Sequence, residues 1–572
     1  MRKLSLRDWL DLRLGGIYDD AALLAAFGGA MFANPIFNWM VEPRIAGAMM
    51  SALGSTMLTA KVRKVVRQRA FESSVHIVSD SPRPVELDKD WGGMLLGYTV
   101  DTAKPVVVPW EDWMRHGFVV GQSGMGKTVL GEWLMYKQIV SGGGLIWIDG
   151  KVDADNIEKL NAMCAYAGRR HQLKVINPGD ISKTNSYNPI LFGKPDEVAS
   201  RILSLIPSSE SNPGTDFYRQ AANQAMTTLV GSIQACNRPK YSFLDLSILL
   251  QNDKALEHLM DLMPPTGEAR DALALFYESI KSPDRNGTMR IDLKKLRDMF
   301  GGVGGRMHTF GTGEFGKITG TYDPDVNMYD AVVNKEIVYI ALPTMGKAEA
   351  ASNFGKMAVG DYRSAVALVQ GLPSTQRPWP PTLGFFDEAG SYVTQAWARI
   401  FEQARSAHQV LCPAVQTIAN LDAVSKELRE MVLGNTLTKI SFRVGTDETA
   451  EKFADIFGTE NVSKVSVSLS GGGGENAQAG TGTKQSQSRS GSQGYSEREE
   501  EVHRVSINDL KGLERGEAVV YTDGKNIMHI KVPRISFTDE FMKAVGNFEV
   551  NSRRRTFTRG LDLGKDVERW TS

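Results

Sequence analysis

The fold is decided by residues 117–128, which read Gly117-Phe118-Val119-Val120-Gly121-Gln122-Ser123-Gly124-Met125-Gly126-Lys127-Thr128. The last eight residues fit G-x-x-x-x-G-K-[ST], the phosphate-binding loop of nucleoside triphosphatases. The apolar run before them predicts a strand, and residues 128–140 predict a helix. A glycine-rich turn without a ligand is the alternative, but strand, loop and helix follow one another in the order that a phosphate-binding loop requires.

Each residue type in this loop suits a nucleotide. Glycines let the backbone bend so that its N–H groups surround the phosphates, and the helix N-terminus adds a positive dipole end. We expect Lys127 to reach the β- and γ-phosphates of ATP, and the Thr128 hydroxyl to hold Mg²⁺. The predicted nucleotide-binding residues are Gly121, Gln122, Ser123, Gly124, Met125, Gly126, Lys127 and Thr128.

A second motif follows another predicted strand. Residues 383–386 are apolar and lead into Asp387 and Glu388. An acidic pair at the tip of a buried strand, downstream of a phosphate loop, is the Walker B pattern. Asp387 would hold Mg²⁺ and Glu388 would orient or deprotonate the attacking water. Gln416 follows the predicted strand 410–415 and is either a sensor of the γ-phosphate or a capping glutamine.

Other apolar runs extend this pattern along the chain. They predict strands at residues 145–148, 173–176, 336–342, 437–444, 517–521 and 527–532. Helical patterns separate most of these runs, and residues 71–115 form a mixed segment in which prolines mark turns. Alternating strands and helices predict an α/β fold with ligands at the carboxyl ends of the strands.

The N-terminal region predicts two apolar helices, at about residues 21–41 and 45–60, joined by a turn at Glu42-Pro43-Arg44. The first run has the ~20 residues that a bilayer-spanning helix needs. Basic residues flank both outer ends, which places both ends of the hairpin in the cytoplasm. A buried helical hairpin is the alternative, because Asn34, Pro35 and Asn38 interrupt the first run. A cleaved signal peptide fits poorly, since a second apolar run follows.

The sequence predicts five parts. They are an anchor (residues 1–70), a first nucleotide-binding part (71–194), an all-helical insertion (195–310), a second nucleotide-binding part (311–540) and a polar tail (541–572). Within the second part, the Gly- and Ser-rich residues 466–493 predict a mobile loop. The tail could bind a partner or remain unstructured.

The insertion predicts helices at about residues 218–236, 244–263 and 268–280. A cluster of basic residues near its end is either a solvated helix face or a nucleic-acid contact; its members are Arg285, Arg290, Lys294, Lys295 and Arg297. Residues 311–316 match G-x-G-x-x-G, but no predicted strand precedes them, so we reject a dinucleotide site there.

Composition excludes several classes of protein. Formal net charge is zero over 572 residues, so any nucleic-acid surface must be local rather than a histone-like coat. The three cysteines lie far apart, and the histidines show no metal-ligand spacing. We therefore expect no zinc site, and we expect the protein to reside in a reducing compartment.

With these motifs in place, the chain resembles the coupling-protein ATPases of type IV secretion and conjugation, most closely the branch with the Dot/Icm-type proteins and their plasmid relatives. The resemblance covers about residues 110–540. It rests on both Walker motifs, on residues 144–151 (GLIWIDGK), on Tyr187-Asn188-Pro189 and on residues 403–406 (QARS). It implies a RecA-like P-loop ATPase with an inserted all-α domain and an N-terminal transmembrane hairpin.

The resemblance also implies roles for single residues. Lys127 and Thr128 match the Walker A pair, Asp387 and Glu388 match the Walker B pair, and Gln416 matches the third motif of the family. Arg405 lies where such ATPases place an arginine finger that acts on the neighbouring subunit, which implies a homo-hexamer around a channel. Without the resemblance, Arg405 would be an arginine on a helix surface.

The resulting hypothesis is an ATPase anchored in the bacterial inner membrane, with ATP and Mg²⁺ as cofactors. It would recruit single-stranded DNA bound to a relaxase and deliver it to inner-membrane components of a type IV secretion channel. The chain lacks the long C-terminal extension of the Dot/Icm-type members, which favours DNA over effector proteins as cargo. The rivals are a double-stranded DNA translocase of the chromosome-segregation or HerA type, an effector-protein receptor, and a non-enzymatic membrane scaffold.

Overall fold

The computed structural model describes residues 18–37, 40–75, 92–206, 213–283, 287–344, 348–471, 491–552 and 560–571. Its strands are β1 Gly93–Thr99, β2 Pro105–Pro109, β3 Gly117–Val120, β4 Leu145–Asp149, β5 Leu173–Ile176, β6 Lys281–Pro283, β7 Met289–Ile291, β8 Ile337–Ala341, β9 Thr382–Asp387, β10 Gln409–Val415, β11 Thr438–Ser441, β12 Thr459–Gly471, β13 Gly491–His503, β14 Glu517–Thr522 and β15 Asn526–Lys531.

The α-helices of the described residues surround these strands. They are α1 Tyr18–Ala33, α2 Val41–Val75, α3 Trp110–Trp113, α4 Lys127–Val140, α5 Ala154–Tyr166, α6 Pro195–Leu203, α7 Pro213–Ala235, α8 Phe243–Leu249, α9 Asp253–Leu262, α10 Glu268–Ile280, α11 Leu293–Gly311, α12 Gly313–Thr319, α13 Met328–Val333, α14 Ala348–Gln370, α15 Ile400–Gln403, α16 Ala419–Asp422, α17 Lys426–Asn435, α18 Asp447–Phe457, α19 Ile507–Gly512, α20 Asp539–Val545 and α21 Leu563–Thr571.

The described residues build one eleven-stranded sheet in the order β2-β1-β15-β14-β11-β3-β10-β9-β4-β8-β5. The strands from β11 to β5 run parallel, and the others join them as an antiparallel edge. The predicted α/β class and strand positions are confirmed. The antiparallel pair β1–β2 lies in the segment where no strand was predicted.

Helices cover both faces of the sheet and create two hydrophobic cores. One core packs α4 and α5 against the sheet together with the edge strands. The other core is larger and runs from the opposite face into the helical insertion. All four residues of β3 are buried, as are all five of β4. Burial on both faces explains why these strands read as continuous apolar runs rather than as alternating patterns.

The stretch between β5 and β8 is largely helical and carries α6 to α13, together with the short hairpin β6–β7. The helix predicted at residues 244–263 is two helices, α8 and α9. They are separate because Asn252 starts α9 by accepting a hydrogen bond from the Ala255 N–H. The G-x-G-x-x-G match spans the end of α11 and the start of α12, so no strand precedes it.

A buried ion pair ties this insertion to the sheet layer. The Arg201 guanidinium on α6 donates to Asp361 on α14 at 2.7 Å, and Tyr187 donates to the same carboxyl group at 2.8 Å. Arg201 also donates to the carbonyls of Pro189 and Phe192. The Tyr-Asn-Pro stretch quoted above therefore lies at the base of the insertion and fixes its first helix.

The N-terminal helices α1 and α2 pack against each other at small residues. A Cβ atom on Gly28 would lie 2.6 Å from the Gly47 carbonyl oxygen, so the glycines permit this close approach. The first helix ends at Ala33, before Pro35, and Glu42 and Arg44 lie in the first turns of α2. The predicted turn at residues 42–44 is therefore wrong, since Asn34 and Pro35 interrupt the helix earlier.

Across the described residues, no helix has the length and apolarity needed to cross a membrane. The predicted helical hairpin is present as α1 and α2.

The two C-terminal segments differ from expectation. β12 and β13 form an antiparallel hairpin that extends into the predicted loop 466–493 as far as Gly471 and from Gly491; residues 472–490 lie outside the described part. In the predicted polar tail, Leu561 and Leu563 are buried, and the Leu563 N–H donates to Asp245 on α8 at 2.8 Å. The described end of the tail is thus docked on the insertion. Two leucines supply its apolar contacts, although the tail as a whole is polar.

Candidate functional site

The phosphate-binding loop connects β3 to α4, as its sequence predicts. The loop backbone passes very close to Phe442, the residue after β11. A Cβ atom on Gly121 would lie 2.5 Å from the Phe442 Cβ, and one on Gly126 would lie 2.8 Å from the phenyl ring. Gly126 also has φ 127°, which L side chains rarely adopt. Both glycines are therefore required for the loop to fit against its neighbouring strand.

Lys127 begins α4 and is buried, with 7% of its surface exposed. Its ammonium group donates to the Gly121 carbonyl at 2.6 Å and to the Gln122 carbonyl at 3.4 Å. Burial lowers the pKa of Lys127, while the nearby carboxylates of Glu388 and Asp387 act to raise it. Thr128 follows in the first turn and is partly exposed. The loop therefore presents a cation and a hydroxyl at the N-terminus of a helix, where anions bind.

Two buried carboxyl groups lie side by side at the tips of neighbouring strands. Asp149 ends β4 and Asp387 ends β9, and the two residues are paired in the parallel register. Burial raises the pKa of Asp149 to about 7, and Asp387 adds to the effect. Burial likewise raises the pKa of Asp387, with Glu388 contributing. Such a pair is poorly suited to carry two negative charges unless a cation lies nearby.

Asp149 is held by three donors. The backbone N–H of Lys151 donates to it at 2.9 Å, the Tyr339 hydroxyl at 3.0 Å and the Asn156 amide at 3.2 Å. The sequence alone did not predict a role in the site for Asp149, although residues 149–151 belong to the stretch that carries the family resemblance. The available signal was an acidic residue directly after a buried strand, the same signal that identified Asp387.

Glu388 follows β9 in the left-handed region, with φ 54°. Its carboxylate receives an ion pair from Lys151 at 3.0 Å and hydrogen bonds from the Gln416 amide at 2.9 and 3.2 Å. Burial acts to raise the pKa of Glu388, but the bonds from Gln416 and Lys151 outweigh burial and hold the pKa below its ordinary value. Glu388 is therefore an oriented, ionised carboxylate.

The predicted residues thus meet at the carboxyl ends of three neighbouring strands. Lys127 and Thr128 follow β3, Gln416 follows β10, and Asp387 and Glu388 end and follow β9; these strands are neighbours in the order β3-β10-β9. The group combines a phosphate-binding loop, oxygen donors of the kind that Mg²⁺ prefers, and an ionised carboxylate. The residues present fit a nucleoside triphosphate with Mg²⁺.

Arg405 lies elsewhere. It is exposed in the 3-10 turn Ala404–Ala407, which comes just before β10, whereas Gln416 follows the same strand. A strand of seven residues at ~3.3 Å per residue separates the two positions by ~20 Å. Arg405 therefore lies at the amino ends of the parallel strands, whereas the phosphate-binding loop of the same chain lies at their carboxyl ends.

Comparisons with known proteins agree with this fold. A family model described as the "TraM recognition site of TraD and TraG" matches residues 381–511. The type 4 coupling protein DotL of Legionella pneumophila is 24% identical over 407 residues, which cover 62% of this chain and 50% of DotL. The chain therefore matches only about half the length of this curated relative.

Solved structures of the plasmid coupling protein TrwB share the fold. A form named TrwBdeltaN70 aligns with 82% of this chain and 93% of its own length, at a TM-score of 0.53 and 14% identity. TrwB in complex with ADP and Mg²⁺ aligns with 78% of this chain and 89% of its own, at a TM-score of 0.51 and 15% identity. The chain has a TrwB-like α/β fold, and the resemblance to coupling proteins is confirmed.

The packing around Gly150 yields a testable prediction. A Cβ atom there would lie 2.8 Å from the Glu388 Cβ, an atom close to the backbone that cannot swing away. We expect Gly150→Ala to displace Glu388 and to lower kcat for ATP hydrolysis about 10- to 100-fold, because misplacing a reacting group by ~1 Å has such effects. Nucleotide affinity, measured by equilibrium dialysis, should change little, since two strands, β9 and β10, lie between β4 and the strand that leads into the phosphate-binding loop.

Gly434→Ala is the matched control, because a Cβ atom at that helical position meets nothing within 4 Å. Hydrolysis by this variant should equal that of the unaltered chain. Normal hydrolysis by Gly150→Ala would contradict the assigned position of Glu388.

Proposed function

We propose that this chain, a relative of the type IV coupling proteins, is a motor ATPase that delivers substrate to a type IV secretion channel. The observation that carries the proposal is the site at the sheet edge, where Lys127, Asp387, Glu388 and Gln416 converge. A protein that used nucleotide only for assembly would not need an ionised Glu388 held by two partners. The geometry therefore favours an enzyme over the non-enzymatic scaffold.

The proposed reaction is the hydrolysis of ATP to ADP and phosphate. Mg²⁺, bound near Thr128 and Asp387, would neutralise charge on the phosphates. Lys127 would supply a second positive charge at the β- and γ-phosphates. Glu388 would accept a proton from the attacking water, and its low pKa keeps it in the ionised form that this step requires. Gln416 would hold the Glu388 carboxylate in position from the neighbouring strand.

We further propose that the active form is a homo-hexamer in which Arg405 serves the neighbouring subunit. The argument is geometric: an exposed arginine at the far edge of the sheet cannot reach the phosphates bound by its own chain. A head-to-tail ring brings the far edge of one subunit towards the loop edge of the next. In that arrangement the guanidinium would stabilise the charge that develops during phosphoryl transfer.

The proposed cargo is single-stranded DNA bound to a relaxase. The family match over residues 381–511 carries the description of a TraM recognition site, which supports a relaxosome partner. The likeness to DotL supports the second candidate, an effector-protein receptor. Contacts to DNA would be to the phosphate backbone and tolerant of sequence.

The function predicts that single-stranded DNA accelerates ATP hydrolysis by the full-length, detergent-solubilised chain. We expect at least about 10-fold stimulation at low salt that fades as salt rises, since phosphate contacts release counterions. A coupled ATPase assay over a salt series measures this stimulation.

The Glu388→Gln variant should bind ATP normally and hydrolyse it at least about 100-fold more slowly.

Each outcome of this assay has a meaning. Hydrolysis that no DNA stimulates would overturn the DNA motor and favour the effector receptor. Stronger stimulation by duplex than by single-stranded DNA would favour the HerA-type translocase. Unchanged hydrolysis by Glu388→Gln would remove this residue from the mechanism.

The ring predicts that two inactive variants complement each other. Arg405→Ala and Lys127→Ala should each lose about 10³-fold in hydrolysis, as arginine-finger and phosphate-loop variants do. Mixed subunits should regain activity, because some interfaces then combine an intact loop with an intact finger. The rate of the mixture at several ratios measures this, and no recovery in hexamers shown to be mixed would count against Arg405 acting in trans.

We propose that the N-terminal hairpin attaches the chain to the bacterial inner membrane, with the remaining parts in the cytoplasm. Support comes from the pairing of α1 and α2 through glycines, the type of contact that membrane helices use. The full chain should sediment with membranes and need detergent for release, while a variant without residues 1–70 should stay in the supernatant. Recovery of the full chain in the supernatant would overturn this attachment.

A further inference from the structure

A cavity of about 670 Å³ lies between the helical insertion and the segment that follows Glu388. Its volume is in the range of small-ligand sites. Four parts of the chain form its walls: α6 and α7 of the insertion, the helix α14, the stretch from Gly390 to Arg399, and residues 423–427. The cavity is therefore separate from the phosphate-binding loop, yet one wall begins two residues after Glu388.

The described lining of this cavity is positively charged. It contains four basic side chains and one carboxylate; the basic residues are Arg219, Lys356, Arg363 and Arg399. The carboxylate, Glu427, accepts a hydrogen bond from the Gln395 amide at 2.7 Å. Within the described part of the chain, no salt bridge involves Lys356, Arg363 or Arg399.

These cations lie in an environment that disfavours their charge. Burial lowers the pKa of Lys356; the nearby Arg306 adds to the effect and Glu349 opposes it. Burial also lowers the pKa of Arg363, with Arg201 contributing and Glu197 opposing. Arg363 does donate to the Ala396 carbonyl at 3.2 Å, which fixes its direction without neutralising it. A cavity lined by four basic side chains and one carboxylate favours an anionic ligand.

A buried arginine lies at one end of the cavity. A smaller void of about 30 Å³ continues from it and is lined by Arg201 and Trp397. The Arg201 side chain is fully buried, and its Nε is a donor without a partner in the described structure. Buried donors are nearly always satisfied, so a water molecule or another acceptor beside this Nε would be stabilised.

The uncharged lining suits phosphate oxygens. Hydroxyl groups of Ser200, Ser204, Ser391 and Thr394 border the cavity. Arginine forks and hydroxyl donors together are the groups that bind phosphates, and arginine binds them with two parallel hydrogen bonds. An aromatic or apolar ligand would find fewer suitable contacts here.

We propose that this cavity binds the phosphate groups of a nucleic-acid strand or of a free nucleotide, and that its occupancy acts on Glu388. The proposal rests on the motor function proposed above and adds a second ligand site to it. The structural link is Ser391, whose hydroxyl and N–H both donate to the Glu388 carbonyl, at 2.8 and 3.0 Å. A ligand that draws the Ser391 hydroxyl towards itself would loosen the backbone at Glu388.

The test measures binding without hydrolysis. Fluorescence anisotropy of a labelled 15-nucleotide oligo-dT on the full-length chain, over a salt series, gives the affinity and its salt dependence. Arg399→Glu, at an exposed position, and Lys356→Met should each weaken binding about 10-fold and reduce the salt slope by about 1. A control pair with the same charge changes, Lys525→Glu and Lys543→Met at exposed positions outside the cavity and outside the basic cluster of the insertion, should leave both quantities unchanged.

A second arm identifies the source of the phosphate. Lys127→Ala removes the main nucleotide site, so residual ADP binding in equilibrium dialysis that Arg399→Glu abolishes would identify a free nucleotide. Weaker oligo-dT binding without any residual ADP site would identify the strand. If Arg399→Glu and Lys356→Met change neither ligand's affinity, the cavity is not a phosphate site and the proposal is overturned.

Hydrolysis then separates this proposal from the motor itself. Arg399→Glu should retain the basal ATPase rate and lose most of the stimulation by the cavity's ligand. Retained stimulation would overturn the link through Ser391. A chain that hydrolyses no ATP under any condition would refute the motor, while the anisotropy result would still decide whether the cavity binds phosphate.

Discussion

The site depends on the forced proximity of two buried carboxyl groups. The parallel register of β4 and β9 places Asp149 beside Asp387, and burial makes two negative charges there costly. Surrounding groups reduce this cost, since Lys127 and Lys151 contribute positive charge and Tyr339 donates to Asp149. A divalent cation would complete this compensation. The sheet register thus brings two carboxyl groups together at a point where a cation, or a proton on Asp149, lowers the electrostatic cost.

Glu388 is held by two separate sets of contacts, one to its side chain and one to its backbone. Its carboxylate is tied to Lys151 and Gln416, while its backbone carbonyl is tied to Ser391. Residues at the strand ends therefore hold the Glu388 side chain, whereas a residue of the cavity wall holds its backbone. Because a Cβ atom at residue 150 would lie 2.8 Å from the Glu388 Cβ, the glycine there allows the two segments to approach closely. If the cavity binds phosphate as proposed, its ligand would influence the proposed water-activating group without touching it.

Local patterns predicted the α/β core and the residues at the strand tips, because parallel strands buried on both faces leave continuous apolar runs. Contacts between distant residues were beyond such patterns. The edge strands β1 and β2 owe their pairing partly to β15, over 400 positions away. Asp149 needed the register with β9 to become part of the site. The docking of Leu563 on Asp245 rests on two apolar residues within a polar tail, too few to form a pattern.

One strand links both proposed catalytic contributions of a subunit. β10 is buried along its whole length, with Gln416 after its carboxyl end and Arg405 shortly before its amino end. Strand β10 is hydrogen-bonded to β9 along six residue pairs, so it moves as part of the sheet rather than alone. If Arg405 serves the neighbouring site, a shift of this sheet on nucleotide turnover would move the finger as well. The state of one site would then reach the next through the rigid core, without a mobile linker.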